Sequence, residues 1–236
     1  MSTTTLHFDA LLFDMDGTLV DSTAGVVGAW ELFRQSYPHI DVQNILSSAH
    51  GVRTVDNLKN YCGIQDPDLL EEEAERFEQA IVSTSAQGGR QGIVILPGAQ
   101  SVIDELKPVT HHPNARWAIC TSATRAYATS ALGLTGIPIP DVFVASEDVQ
   151  QGKPFPDPYL LGAKKCGVSP ENCLVFEDAP NGIRSGNAAG CKTVGLLTTH
   201  SREQVEDAKP NFIVKDLTSI SIKLTETGVE VTITEE

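Results

Sequence analysis

Two carboxylates stand two residues apart in Asp14-Met15-Asp16-Gly17-Thr18, directly after the apolar run 8–13. Thr121-Ser122 follows a second apolar run, Glu177-Asp178 follows a third, and Lys153 lies between them in Gly152-Lys153-Pro154. Such a set suits a phosphate monoester: one carboxylate attacks phosphorus in line, and a second group gives a proton to the departing alkoxide. An anionic nucleophile approaching a dianion needs countercharge, for which Lys153 and a hard divalent cation are the candidates. Taken singly, several of these residues have plainer readings. Asp16 can be a turn residue before Gly17, Thr121-Ser122 can cap a helix beginning near Arg125, and Asp178 can cap one near Asn181.

Residues so far apart in the chain must be gathered by a frame. The apolar runs 8–13, 116–120, 142–144, 173–176 and 193–196 each stop at polar residues, and helical patterns at 98–106, 125–132, 156–166 and 181–189 lie between them. Continuous apolar strands alternating with helices predict an α/β fold, a doubly wound, Rossmann-like parallel sheet covered on both faces. Ligands of such sheets bind beyond the carboxyl ends of the strands, where the polar residues fall. Residues 21–96 break this rhythm, with no convincing strand and with helical patterns clearest at 22–36 and 67–83. The second opens on Asp66-Pro67-Asp68 and carries Glu71, Glu72, Glu73 and Glu75 near its positive end. The expected division is therefore a helical cap domain, 21–96, inserted into a core of 1–20 plus 97–236. At the end of the chain, 220–224 and 229–233 flank Glu226-Thr227-Gly228 as a β-hairpin.

D-x-D-G-T-[LV] after an apolar strand resembles the first motif of the haloacid dehalogenase-like phosphatases. Thr121-Ser122, Lys153-Pro154 and Glu177-Asp178 are similar to the second, third and fourth, in family order. The resemblance implies that Asp14 is the nucleophile, forming an aspartyl-phosphate. Asp16 is then the general acid that later activates water, with Thr121 and Ser122 holding phosphoryl oxygens and Lys153 supplying charge. It also implies a Mg²⁺ cofactor held by the Asp14 and Asp178 carboxylates and the Asp16 carbonyl, with Glu177 as a ligand or as the orienter of a bound water.

An insert at this position resembles the helical cap of the phosphoglucomutase-like branch, which closes over the site. The segment His50-Gly51-Val52-Arg53-Thr54, with Gly152-Lys153-Pro154-Phe155-Pro156 and Phe176-Glu177-Asp178-Ala179-Pro180, is similar to fungal glycerol phosphatases and 2-deoxyglucose-6-phosphate phosphatases. By that resemblance Arg53 contacts phosphate or sugar oxygens, while His50 and Trp30 line the substrate pocket. The plainer readings are a backbone-satisfied loop residue for His50 and core packing for Trp30. A small polyol or sugar phosphate is the expected substrate, glycerol phosphate first and a hexose 6-phosphate second. A phosphomutase shares Asp14, Asp16, Lys153 and the cap, and a binding module that keeps the fold is the rival from another class.

Composition narrows the partners. Lys and Arg number 17 against 31 Asp and Glu, a formal net charge of −14 with His neutral, which argues against nucleic acid and anionic lipid. No window approaches the length of a membrane span, and no secretory pattern opens the sequence. Five scattered cysteines without a C-x-x-C spacing fit buried, reduced thiols. The expectation is a cytoplasmic monomer whose partner is a small phosphate ester.

Overall fold

Apolar runs become strands here because each face of the sheet finds its own cover. The computed structural model describes residues 2–46, 51–113 and 115–235. Along the chain the strands are β1 (Ser2–Phe8), β2 (Ala10–Phe13), β3 (Val20–Asp21), β4 (Val94–Ile95), β5 (Trp117–Cys120), β6 (Phe143–Val144), β7 (Cys173–Glu177), β8 (Lys192–Leu196), β9 (Phe212–Val214), β10 (Ile220–Leu224) and β11 (Val229–Glu235). The helices are α1 (Thr23–Ser36), α2 (Val42–Leu46), α3 (Thr54–Cys62), α4 (Pro67–Thr84), α5 (Ala99–Leu106), α6 (Arg125–Thr135), α7 (Asp157–Cys166), α8 (Pro180–Ala188) and α9 (Arg202–Asp207).

A six-stranded parallel sheet in the order β6-β5-β2-β7-β8-β9 forms the centre. Alternate side chains divide between its faces. Leu11, Phe13, Trp117, Ile119, Leu174 and Phe176 pack with α5, α6 and the C-terminal hairpin, and the Phe13 and Phe176 rings stack at 4.7 Å. Leu12, Ala118, Cys120 and Val175 pack with Tyr159 and Ala163 of α7 on the opposite face. Burial of both faces is what makes these strands continuous in apolar character.

Four features depart from the sequence expectations. The run 8–13 is not one strand, since Phe8 ends β1 and Ala10 begins β2. β1 pairs antiparallel with β11, and β11 with β10, so the expected hairpin is two-thirds of a separate three-stranded sheet. The parallel sheet also has a sixth strand, β9, beyond the five expected. Within 21–96, where no strand is expected, Val94–Ile95 pairs antiparallel with Val20–Asp21 and ties the two ends of the helical segment together. Two residues are too few to register as an alternating pattern.

The helical segment has local reasons for its form. Asp66 caps α4 by accepting from Leu69 N at 3.0 Å, with Pro67 in the first turn. Trp30 and Phe33 of α1 meet Phe77 of α4 at ring distances of 4.5 and 5.0 Å. Four cysteines, Cys62, Cys120, Cys173 and Cys191, are buried and Cys166 is partly so, with no disulfide among them. Among the described residues no helix is long and apolar enough to cross a membrane.

Candidate active site

The carboxyl ends of the adjacent strands β5, β2 and β7 bring the sequence motifs to one place. Asp14 follows β2 and stays in the sheet through its N–H, which donates to Phe176 O at 3.0 Å. Thr121 follows β5 in the same way, donating to Val144 O at 2.9 Å, while Glu177 ends β7 and Asp178 comes next. After Asp14 the chain must turn at once, and Gly17 takes φ +81°, a conformation that side-chain-bearing residues rarely adopt. A Cβ there would also stand 2.3 Å from Asp178 Oδ2, so the glycine lets the loop close on the carboxylate.

Lys153 is fully buried between two carboxylates, with Nζ 2.5 Å from Asp14 Oδ1 and 2.6 Å from Glu177 Oε1. Burial alone would lower its pKa, but the charges of Asp14 and Glu177 outweigh that and raise it, so the ammonium persists. Glu177 is surrounded: Tyr159 OH donates to Oε1 at 2.8 Å and Ala179 N to Oε2 at 3.1 Å. In this place it anchors Lys153, a contact the sequence does not announce, while one of its oxygens stays within reach of Asp14 and Asp178. The backbone of α8 closes over this carboxylate, since a Cβ on Gly182 would lie 1.7 Å from Oε1. Gly182→Ala is expected to destabilise the fold by about 3 kcal/mol or more, read as a lower urea midpoint, because neither the helix nor the anchored glutamate can retreat.

Asp178 accepts from Thr18 Oγ1 at 3.1 Å and from Thr199 Oγ1. Single carboxylate oxygens of Asp14, Glu177 and Asp178 lie within 4.8 Å of one another, all buried. Burial, with Glu177 second, pushes Asp178 up to about 7. Burial likewise raises Asp14, Lys153 opposing and Glu177 and Asp178 reinforcing the shift. Three acids against one lysine leave an excess of negative charge where water cannot screen it, and a divalent cation with a preference for hard oxygen donors fits the Asp14 and Asp178 side.

Asp14, Asp16, Thr121, Ser122 and Trp30 line one cavity of about 90 Å³, walled by α1, α4 and the start of α3. Asp16 Oδ1 accepts from Ser22 Oγ at 2.5 Å and from Tyr127 OH at 2.8 Å. Burial first, and Asp16 second, push the Tyr127 phenol well above its ordinary value, so its hydroxyl keeps the proton it donates. Thr121 Oγ1 accepts from Ala123 N at 3.1 Å, and Ser122 Oγ donates to Gly51 O at 3.1 Å, across to the helical segment. Trp30 serves the aromatic core of that segment and the cavity wall at once.

Arg53 sits elsewhere. Its guanidinium pairs with Asp56 at 2.8 Å and donates to Gln150 O at 3.3 Å, and its stem lies against Gly152, beside Lys153. It lines a neighbouring acidic groove with Glu71, Glu75 and Glu147 and is absent from the wall of the Asp14 cavity. His50 lies outside the described residues. Sequence reasoning missed Tyr127, Ser22, Tyr159, Thr18 and Thr199, since a lone tyrosine in a helix or threonine in a turn carries no signal of its partner.

A family model described as haloacid dehalogenase-like hydrolase matches residues 8–190. Glycerol-1-phosphate phosphohydrolase 1 of Saccharomyces cerevisiae is 34% identical over 225 residues, spanning 92% of this chain and 86% of its own length. Hexitol phosphatase A of Escherichia coli is 36% identical over 214 residues, spanning 85% of this chain and 94% of its own. The crystal structure of a hydrolase from Pseudomonas syringae matches with a TM-score of 0.71 and 27% identity over 89% of this chain and 94% of its own. By this match over most of its length, and by the ordered acids at its strand ends, the chain belongs to the haloacid dehalogenase-like hydrolases.

Proposed function

We propose that the chain is a Mg²⁺-dependent phosphatase of small polyol phosphates, with glycerol phosphate its foremost substrate. In this reading Asp14 attacks phosphorus, Asp16 protonates the leaving oxygen and then takes a proton from the attacking water, and Thr121 and Ser122 hold phosphoryl oxygens. Lys153 orients the Asp14 carboxylate and offsets charge. Asp14 and Asp178 hold the metal, with the Asp16 carbonyl as a third donor, and the ion would supply electrostatic stabilisation of the phosphoryl oxygens. Residues 21–96 act as a cap over the core of 1–20 and 97–236. Trp30 shapes the pocket, Arg53 steadies the loop that carries Lys153, and His50 keeps its pocket role on sequence resemblance.

The observation that carries the reading is the gathering of Asp14, Asp16, Thr121 and Ser122 on one cavity, with the buried Lys153 paired to Asp14 behind it. Relatives that are named for glycerol-1-phosphate and for hexitols support the polyol class, and the first of them support glycerol phosphate as the foremost substrate. Phosphate release from a panel of esters tests the reading. The kcat/KM for glycerol phosphate should exceed that for hexitol phosphates and 2-deoxyglucose 6-phosphate by about tenfold or more. Equal turnover across the panel would overturn the glycerol preference, and no release from any ester would overturn the phosphatase.

Metal binding has its own readout. Mg²⁺ at a hundredfold excess over its dissociation constant is expected to stabilise the fold by about 2.7 kcal/mol, a rise in Tm of about 5–10 °C in a chain of this size. Asp178→Asn should abolish most of that rise. Because the Asp178 carboxyl is pushed up to about 7, a proton competes with the ion below that pH, so the rise should shrink from pH 8 to pH 6. A Tm indifferent to Mg²⁺ and EDTA at pH 8 would remove the metal from the reading.

A further inference from the structure

Asp16 is held from two sides. Ser22, six residues on, follows it into the helical segment, whereas Tyr127 comes from α6 of the core, 111 residues away in the chain. Both donate to Oδ1, which fills the acceptor capacity of that oxygen and favours Oδ2 as the carrier of the acid proton. A tyrosine ring is a rigid arm, and this one is buried in the core cluster, so the hydroxyl has little freedom to follow a wandering carboxylate.

The base of the arm is itself fixed. Thr124 caps α6 and accepts from Tyr127 N at 3.3 Å. Glu78, a buried residue of α4, grips that cap through Thr124 N at 3.2 Å and Thr124 Oγ1, and accepts from Thr54 Oγ1 at 2.7 Å. A carboxylate at the amino end of α6 suits the helix dipole. The helical segment thus holds the cap residue of α6, and three residues further on α6 holds Asp16.

We propose that Tyr127 is a positioning residue for proton transfer: its hydroxyl fixes the Asp16 carboxyl so that Oδ2 delivers the proton to the leaving oxygen of an alkyl phosphate. This rests on the assignment of Asp16 as the proton donor. In the step it serves, an Asp14 oxygen forms a bond to phosphorus and the bond from phosphorus to the alkoxy oxygen breaks. The departing oxygen takes the electron pair of that bond and the Asp16 proton, leaving an aspartyl-phosphate, the free alcohol and an Asp16 carboxylate. Water then returns a proton to Asp16 as it attacks phosphorus, and phosphate leaves as Asp14 is regenerated.

An ester whose leaving group departs without protonation separates this role from a structural one. Tyr127→Phe and Asp16→Asn are compared with the unaltered chain on glycerol phosphate and on acetyl phosphate, whose acetate leaves as an anion. Tyr127→Phe should lose about 10- to 100-fold in kcat/KM on glycerol phosphate and less than about threefold on acetyl phosphate, as part of the full effect of the proton donor. Its Tm should match that of the unaltered chain, because the ring stays in the core. Asp16→Asn should show the same asymmetry, larger in size. If Asp16→Asn is asymmetric and Tyr127→Phe loses equally on both esters, or on neither, the positioning role is overturned. An Asp16→Asn variant impaired equally on both defeats the proton-donor assignment and the inference with it, and an unaltered chain that hydrolyses neither ester defeats the phosphatase reading itself.

Discussion

Asp14→Asn is expected to cut phosphate release by about 10⁴-fold or more, since the neighbouring carboxylates are held by partners of their own. Asp16 is held through Oδ1 by Ser22 and Tyr127, and Glu177 is enclosed by Lys153, Tyr159 and Ala179. The substitution keeps the volume of the side chain, and its amide oxygen can still accept from Lys153. Folding should survive, because Lys153 keeps its pair with Glu177 at 2.6 Å and burial already raises the Asp14 carboxyl. Phosphate release measured beside a thermal melt checks both parts. A variant with normal folding and more than a tenth of the original turnover would mean that water attacks the ester directly, with no aspartyl-phosphate.

Lys153→Met should affect catalysis and stability together. Among the described residues the lysine is the one cation placed between Asp14 and Glu177, and its removal leaves two carboxylates facing each other without screening by water. Breaking a buried pair from one side typically costs about 3–5 kcal/mol, so the urea midpoint should fall by a corresponding amount. Turnover should fall by about 10³-fold as the countercharge to the phosphoryl group is lost. Lys153→Arg is no rescue, because the compact ammonium sits fully buried between Asp14 Oδ1 at 2.5 Å and Glu177 Oε1 at 2.6 Å, a place shaped for a point charge and not for a planar fork. Stability unchanged in Lys153→Met would show that Glu177 is neutral in the folded chain, and the anchoring role assigned to it would fail.

The acids at the strand ends were legible because local grammar announces them: an apolar run, then Asp14 and Asp16, or Glu177 and Asp178. The same grammar yields the parallel sheet, since strands buried on both faces have to be apolar throughout. Helices α1 and α4 follow from their apolar period, and α4 also from its Asp66 cap, both of which act over a few residues. What failed to show was set by partners far away in sequence. β1, Ser-Thr-Thr-Thr-Leu-His-Phe, is a strand because its edge pairs with β11, Ser2 with Glu235 and Phe8 with Val229, and nothing in its own composition states that. β4 is two residues whose only reason for extension is β3.

Within the site the division is the same. By itself the sequence determined which residue types can do the chemistry, and at the end of which strand each must fall. Only the tertiary structure decided that Glu177 anchors Lys153, that Arg53 leans on Gln150 and Gly152 outside the Asp14 cavity, and that Tyr127 reaches Asp16. A motif is a statement about the backbone near it, whereas a hydrogen bond is made by whatever the packing of distant elements brings within 3 Å, and that distance is set by the fold as a whole.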